Sequence, residues 1–397
     1  MFAKRGASNK ERGFFATHRS WIAITTLIGT IIGAGILGIP YAVAQIGFLY
    51  GSLLIILLGI AFLFLNLFVG EIILRTKKQY QLTGYAGKYL GPWGKRIMSA
   101  TLFLGIYGAL TAYLIGEGTT LHAIFDIGTP LLYTLIFFFL GIIIIYFGVK
   151  ATGKAELILI SLLFVIIVLI SIFSFNHLNL DNLQGANISR LLIPYGIIMF
   201  AYIAAPGIPE MQEVLSKEKK KLRNAIIIGS IIPIFLYLLF TFIILGLISF
   251  DQFELLEPNQ RIATIALSIY AHPLLGLFAN ILAILSMFTS FLTLGLALLE
   301  VYKYDYGFSH NLSFLLTFSF PLLVAVLNLS TFIAILGFTG AIAGGLEGIL
   351  IILMYWKAKT KGERKPEYSL PQFQTVGVFL IVLFILGIIY QFCVGWI

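Results

Sequence analysis

Eleven apolar stretches, each long enough to cross a bilayer, take up nearly the whole chain and limit its fold more than any motif does. They run over residues 20–47, 51–75, 97–123, 131–149, 153–175, 190–214, 223–249, 273–302, 311–328, 330–356 and 371–395. A helical span needs about 20 mostly apolar residues, so the sequence reads as an all-α polytopic membrane protein with 11 transmembrane helices. Charged residues make up 11% of the 397, against roughly 25% in soluble domains, and almost nothing is left over for a soluble domain. The lipid bilayer is the surrounding that such a chain requires.

The formal net charge of +9 raises the question of a polyanionic partner, and its distribution answers it. With the N-terminus inside, 24 of the 26 Lys and Arg fall on cytoplasmic segments: before residue 20, at 75–96, at 150–154, at 217–223, at Lys303 and at 357–365. Only Arg190 and Arg261 fall outside. This is the positive-inside pattern, so the charge sets orientation in the cell membrane and no nucleic acid is expected. An odd number of spans places the C-terminus outside. The first span follows a basic segment and has no small-residue cleavage site, so it is expected to be retained and not removed as a signal peptide. A single cysteine, Cys393, excludes a disulfide framework, and five scattered histidines give no paired spacing. Neither a metal nor a cofactor is expected.

Within the first span the chain reads TIIGAGILGIPYA, with Gly33, Gly35, Gly38 and Pro40 where an uninterrupted helix would cost least. The sixth reads IMFAYIAAPGIPEMQ, and Gly-Ile-Pro occurs at 38–40 and again at 207–209, an offset of 169 residues. That offset carries span 51–75 onto 220–244, which overlaps span 223–249. Five spans is an odd number, so a second copy enters the membrane from the opposite side. The expected layout is a tail over 1–19, one inverted repeat over 20–175, a second over 190–356, and an additional helix over 371–395. Chance recurrence of a common tripeptide is the alternative. Its position, in the first helix of each half, matches transporters with discontinuous helices and a site at the repeat interface.

An unpaired backbone group in hydrocarbon costs several kcal/mol, so non-helical backbone survives there only when buried in protein or facing a ligand or water. At Gly33-Ala34-Gly35 the lack of side-chain bulk would let a ligand approach the main chain. The half-helix from Ile36 would present free N–H groups and a positive dipole end to a carboxylate. The carbonyls of the preceding half suit a cation. Span 6, broken near 203–206, offers the same two ends in opposite sense, and an amino acid satisfies both. A plain structural kink is the competing reading, since Gly and Pro are ordinary in membrane helices.

These residues resemble the amino acid permeases of the amino acid-polyamine-organocation superfamily, especially the aromatic amino acid (tyrosine/tryptophan) permease branch and its amino acid/auxin permease relatives. TIIGAGILGIPYA looks like that branch's first-span signature, and Tyr107-Gly108-Ala109-Leu110-Thr111-Ala112-Tyr113 is similar to its third span. KKLRNAIIIGSIIP resembles the entry to span 7, and Thr289-Ser290-Phe291-Leu292 followed by GLALLE resembles span 8. The resemblance implies a leucine-transporter-type 5+5 inverted repeat with discontinuous helices 1 and 6, and ion-coupled amino acid uptake. It implies that Gly33, Ala34 and Gly35 bind the substrate carboxylate. Phe200, Ala201, Tyr202 and Ala204 would line the amine and side-chain subsites, with Tyr113 closing over the pocket. Thr289 and Ser290 match the hydroxyls that complete a sodium site with span 1 carbonyls, here at Ile32; in the alternative they bond their own backbone. Proton-coupled relatives often carry a lysine inside span 5. This chain has Leu163 at that place and Lys154 only at the edge of the span, which leaves sodium open.

Intramembrane acids are functional candidates by default. Glu117 follows Tyr113 by one turn and shares its face; it would attract a substrate ammonium or carry a proton, unless solvated near the helix end. Glu347, in the run GGLEG, is the deepest acid and the preferred proton-coupling candidate, against a buried structural hydrogen bond. Glu71, Glu210 and Glu300 lie beside basic residues as orientation or gating pairs. The high Phe and Tyr content says little about the cargo, because most rings face lipid or neighbouring helices. The expectation is therefore a secondary active transporter, a monomer or weak oligomer, coupling H+ or Na+ to a neutral or aromatic amino acid. A transporter-like amino acid sensor is the alternative, which short termini disfavour. A lipid-modifying enzyme would need clustered acids or histidines, and here the acids stand apart.

Overall fold

The computed structural model describes residues 19–146, 153–185 and 187–393. Most of the tail over 1–19 and the Lys154 side chain lie outside the described residues. In chain order the first helices are α1 (Arg19–Ile31), α2 (Gly35–Ala44), α3 (Phe48–Arg75), α4 (Leu82–Phe125), α5 (Pro130–Tyr146) and α6 (Gly153–Ser174). They are followed by α7 (Ile193–Tyr202), α8 (Ile208–Val214), α9 (Leu222–Leu247), α10 (Phe250–Glu254) and α11 (Ala263–Tyr270). The last are α12 (Pro273–Glu300), α13 (His310–Val326), α14 (Phe332–Thr339), α15 (Gly345–Lys361) and α16 (Gln374–Cys393).

Seven helical stretches among the described residues are long and apolar enough to cross a membrane, and the bent pair α1–α2 makes an eighth. The other three expected spans are apolar but, among the described residues, fall short by helix length. Helices α5 and α13 have 17 residues each, about 26 Å at 1.5 Å per residue against a hydrocarbon core of about 30 Å. The pair α7–α8 is interrupted between Tyr202 and Ile208. Helix α4 is longer than its expected span because it begins with an extra stretch that turns at Gly91, whose φ of 80° only glycine adopts readily, just before Pro92.

Packing sorts the helices into two groups. Helices α1, α2, α3, α7, α8 and α9 pack on one another, as do α4, α5, α12 and α13. Helix α6 touches both groups through α1 and α12, and α14–α15 touches both through α7, α3 and α4. Large apolar side chains such as Leu53, Phe139, Ile143, Phe235 and Phe379 remain exposed on the outside of the bundle, where lipid is the solvent.

The two ends are built differently. At the end carrying Arg75, Lys88 and Lys359, the basic end, the fully buried Glu71 pairs with Arg75 at 2.8 Å and Lys359 at 2.6 Å, and accepts the Leu370 N–H at 2.7 Å. At the opposite end, α10 and α11 fold inward, burying Phe253 and the run from Ile262 to Leu267. There Arg261 donates to the Tyr41 hydroxyl at 2.8 Å, and Tyr41 donates to Glu254 at 3.2 Å, joining α2 to this cap.

Candidate binding site at two broken helices

Helix α1 stops just after Ile32, whose N–H still reaches the Ile28 carbonyl at 2.7 Å; Gly33 and Ala34 leave the ladder, and α2 departs at 51°. The Gly33 N–H turns back to the Ile31 carbonyl at 3.1 Å, while the N–H groups of Ala34, Gly35 and Ile36 have no backbone partner among the described residues. These are the donors every helix leaves free in its first turn, gathered at the positive end of the dipole. Helix α7 ends in the same manner: Ile203, at φ −63° and ψ 113°, takes extended backbone before the chain resumes as α8.

The two breaks touch. A Cβ on Gly35 would stand 2.5 Å from the Cα of Ala201, so α2 and α7 meet backbone to backbone. Tyr237 of α9 donates its hydroxyl to the Ile31 carbonyl at 2.9 Å and to the Ala201 carbonyl at 2.8 Å. One hydroxyl has one proton for two acceptors, so a single side chain holds the carbonyl ends of α1 and α7 together.

Beside this junction lies a cleft of about 150 Å³ whose walls include Thr30, Ile32, Tyr113, Leu163, Thr289 and Ser290. A Cβ on Gly33 would lie 3.3 Å from the Tyr113 hydroxyl and 3.7 Å from the Ser290 hydroxyl. The structure thus brings Ile32, Gly33, Tyr113, Thr289 and Ser290 together from α1, α4 and α12. Along α12 its lining runs from Leu282 and Leu285 to Thr293 and Leu294. Phe200, Ala201, Tyr202 and Ala204 do not form its wall. Ala201 packs on Gly35, Phe200 lies against Gly340, and the Tyr202 hydroxyl donates to the Ile55 carbonyl at 3.2 Å.

Three expectations change. The missing side chain of Gly35 admits a neighbouring helix, where the sequence suggested room for a ligand. The Thr289 hydroxyl donates within its own helix, to Leu285 at 3.0 Å and Ser286 at 3.1 Å, leaving Ser290 as the hydroxyl that faces Gly33. Glu117 is wholly buried, and neither carboxyl oxygen has a partner among the described residues, which removes its solvated alternative. Glu347 is also buried, three residues beyond a π-helical segment, Gly340–Gly344, which itself packs against α7. Neither acid lines the cleft.

Sequence reasoning missed Tyr237, one of 19 tyrosines with nothing local to single it out. It also missed the inward-folded cap, although the apolar run IATIALSIY between Pro258 and Pro273 was a usable signal.

Comparison with known proteins places this geometry. The sequence pattern of the Tryptophan/tyrosine permease family matches residues 16–392. Tyrosine-specific transport system 1 of Haemophilus influenzae is 28% identical over 381 residues, 91% of this chain and 92% of its own length. Glutamine transporter 2 of Aliivibrio fischeri is 28% identical over 327 residues, 80% of this chain and 83% of its own. Among solved structures, MhsT in complex with L-phenylalanine superposes with a TM-score of 0.68 at 16% identity, over 92% of this chain and 98% of its own. A manganese transporter of Eremococcus coleocola gives 0.64 at 11% identity, over 98% and 89%. At those identities the two structures establish a common fold, that of the leucine-transporter type. With the family pattern running over nearly the whole sequence, the chain belongs to the tryptophan/tyrosine permease family, a family of transporters and not of enzymes.

Proposed function

We propose that this permease carries a neutral or aromatic amino acid across the cell membrane by alternating access, driven by an H+ or Na+ gradient. The observation that carries the reading is the meeting of the two breaks, with the free N–H groups of α2 on one side and the carbonyl ends of α1 and α7 on the other. The substrate carboxylate accepts from the Ala34, Gly35 and Ile36 N–H groups, and its ammonium faces the carbonyl ends. Gly33, Phe200, Ala201, Tyr202 and Ala204 surround it in this reading, with Tyr113 above. Ile32, Thr289 and Ser290 are the sodium candidates, and Glu117 and Glu347 the proton candidates. Leu163 supplies no ammonium to the cleft in place of a cation. The relatives named for tyrosine and glutamine transport support an amino acid cargo. No observation favours the sensor alternative.

In the same reading α5, α13 and α7–α8 complete eleven crossings, in two inverted halves over 20–175 and 190–356 with α16 appended. Reciprocal packing supports this: α1 and α2 pack on α9 as α7 and α8 pack on α3, and α1 meets α6 as α7 meets α14. The basic end faces the cytoplasm by the positive-inside rule. The α10–α11 cap then closes the outside, and the exposed Thr30 and Thr293 on the cleft wall fit an inward-facing arrangement of a monomer or weak oligomer.

The test is a panel of labelled amino acids offered to proteoliposomes under an inward Na+ or H+ gradient. Accumulation of at least one amino acid under one gradient is expected. No uptake of any under either gradient would contradict the reading.

A further inference from the structure

Glu117 is the acid that the fold isolates most completely. Its side chain is fully buried, and both carboxyl oxygens are without a hydrogen-bond partner among the described residues. Its neighbours along α4 mark its surroundings. A Cβ on Gly116 would stand 2.7 Å from Met287 Sδ of α12 and 2.9 Å from Phe332 of α14, and Gly118 abuts Thr134 of α5. None of these three elements brings a counter-charge near. Helix α5 holds only Tyr133 and Tyr146 as titratable groups, α14 holds none, and the single acid of α12 is Glu300 at its far end. Helix α11, which also packs on α4, holds only Tyr270, and the segment Pro258–Gln260 is followed by Arg261, engaged with Tyr41 and Glu254. On α4 itself the nearest titratable groups are Tyr113 and His122. A carboxylate left there alone costs several kcal/mol, whereas the neutral acid is only a polar group in want of a partner.

The surroundings are not uniformly apolar. Thr120 Oγ1, Asn280 Oδ1 and Thr264 Oγ1 are also buried and unpartnered among the described residues. Thr120 stands three residues beyond Glu117 on α4. Asn280 stands seven residues before Met287 on α12, two turns toward the same end, and Thr264 opens α11, which packs on both helices. All three lie on the side of Glu117 away from the basic end. Thr119 and Thr134, by contrast, spend their hydroxyls on the Ile115 and Leu114 carbonyls. Several unpartnered polar atoms in one region are what water needs in order to enter a protein interior.

We propose that Glu117 is a proton-binding site of the transport cycle, reached from the non-basic side along a strip of buried polar groups formed by Thr120, Asn280 and Thr264. The inference rests on the transport reading above. A proton binds one carboxyl oxygen while the strip is open to the outer solution and leaves it on the opposite side after the bundle rocks, so each cycle moves one proton with the cargo.

The experiment uses the full chain in proteoliposomes with L-tyrosine and L-glutamine as probes, and reads two quantities: counterflow exchange, which needs no gradient, and accumulation under an inward pH gradient. Glu117→Gln is expected to keep counterflow and lose accumulation, with Glu117→Asp recovering it. Retained accumulation in Glu117→Gln overturns the proposal. If Glu117→Gln does not fold, as judged by size-exclusion chromatography, Asn280→Leu replaces it: slowed accumulation with unchanged counterflow supports the strip, and unchanged accumulation overturns it. A wild-type protein that exchanges the probes but accumulates them only under a sodium gradient overturns the proton site and leaves the transport reading standing. A wild-type protein that neither exchanges nor accumulates these probes or any other amino acid of the uptake panel defeats the transport reading itself.

Discussion

Two glycines two positions apart have opposite duties, and only contact geometry separates them. Gly35 is pressed against the Ala201 backbone, so Gly35→Ala overpacks the contact between α2 and α7. The expected loss is about 1–3 kcal/mol of stability, read as a lower midpoint in a thermal melt in detergent. Gly33 has a hydroxyl from Tyr113 and one from Ser290 as its nearest neighbours, both able to shift by a few tenths of an ångström. Gly33→Ala should therefore melt like the wild type and weaken amino acid binding about ten-fold, about 1.4 kcal/mol, by equilibrium binding. Equal melting midpoints for the two variants would contradict this division. The motif around both glycines was legible in the sequence as a helix break. Which glycine faces space and which faces a helix was not, because that depends on where α7 lies, 166 residues later in the chain at Ala201.

Among the elements, the segment joining α15 to α16 acts as a strap on the basic end. Glu71 of α3 holds it through the Leu370 N–H and the Ser369 hydroxyl, Tyr368 donates to the Leu67 carbonyl, and the Glu363 N–H donates to the Arg75 carbonyl. Glu71→Gln leaves the Lys359 and Arg75 charges short of a partner in a site where they are mostly enclosed. A cost of about 3–5 kcal/mol is expected in the same melt, and a loss below about 1 kcal/mol would show the hub to be an ordinary surface pair. The outer edge of the strap is set by Glu363, whose carboxyl is held below its usual range by the Lys88 ammonium and then by the Lys77 N–H. A group depressed in the folded state stabilises above its unfolded range and stops doing so as pH falls through its folded value. Lys88 is raised by the same bond, so its share lasts through the ordinary lysine range. Hydrogen exchange over residues 362–370 should thus be flat through neutral pH, after correction for intrinsic rates, and rise only below about pH 4. A rise near pH 6–7 would implicate another group. The sequence marked Glu71 as a partner of nearby bases but had no means of finding the strap, whose bonds join residues about 300 apart.

In the whole molecule, the break between α1 and α2 faces the second helix group across the cleft, and the end opposite the basic one is capped. The long apolar runs made the seven long helices and the bent pair α1–α2 legible, and the repeated Gly-Ile-Pro pointed to the pair of breaks. The short helices α10 and α11 were hidden because a cap of five and eight residues has no periodicity to read. The unpartnered state of Glu117 was hidden as well, since isolation is a property of everything packed around a group. The most direct measurement takes Ser290, which faces Gly33 across the cleft, as reporter of occupancy. In a Cys393→Ser background, which removes the exposed native thiol, Ser290→Cys should react with a small thiol reagent. A saturating amino acid from the uptake panel should slow that reaction. Labelling at an unchanged rate in the presence of every amino acid the protein takes up would contradict a substrate site at the meeting of the two broken helices.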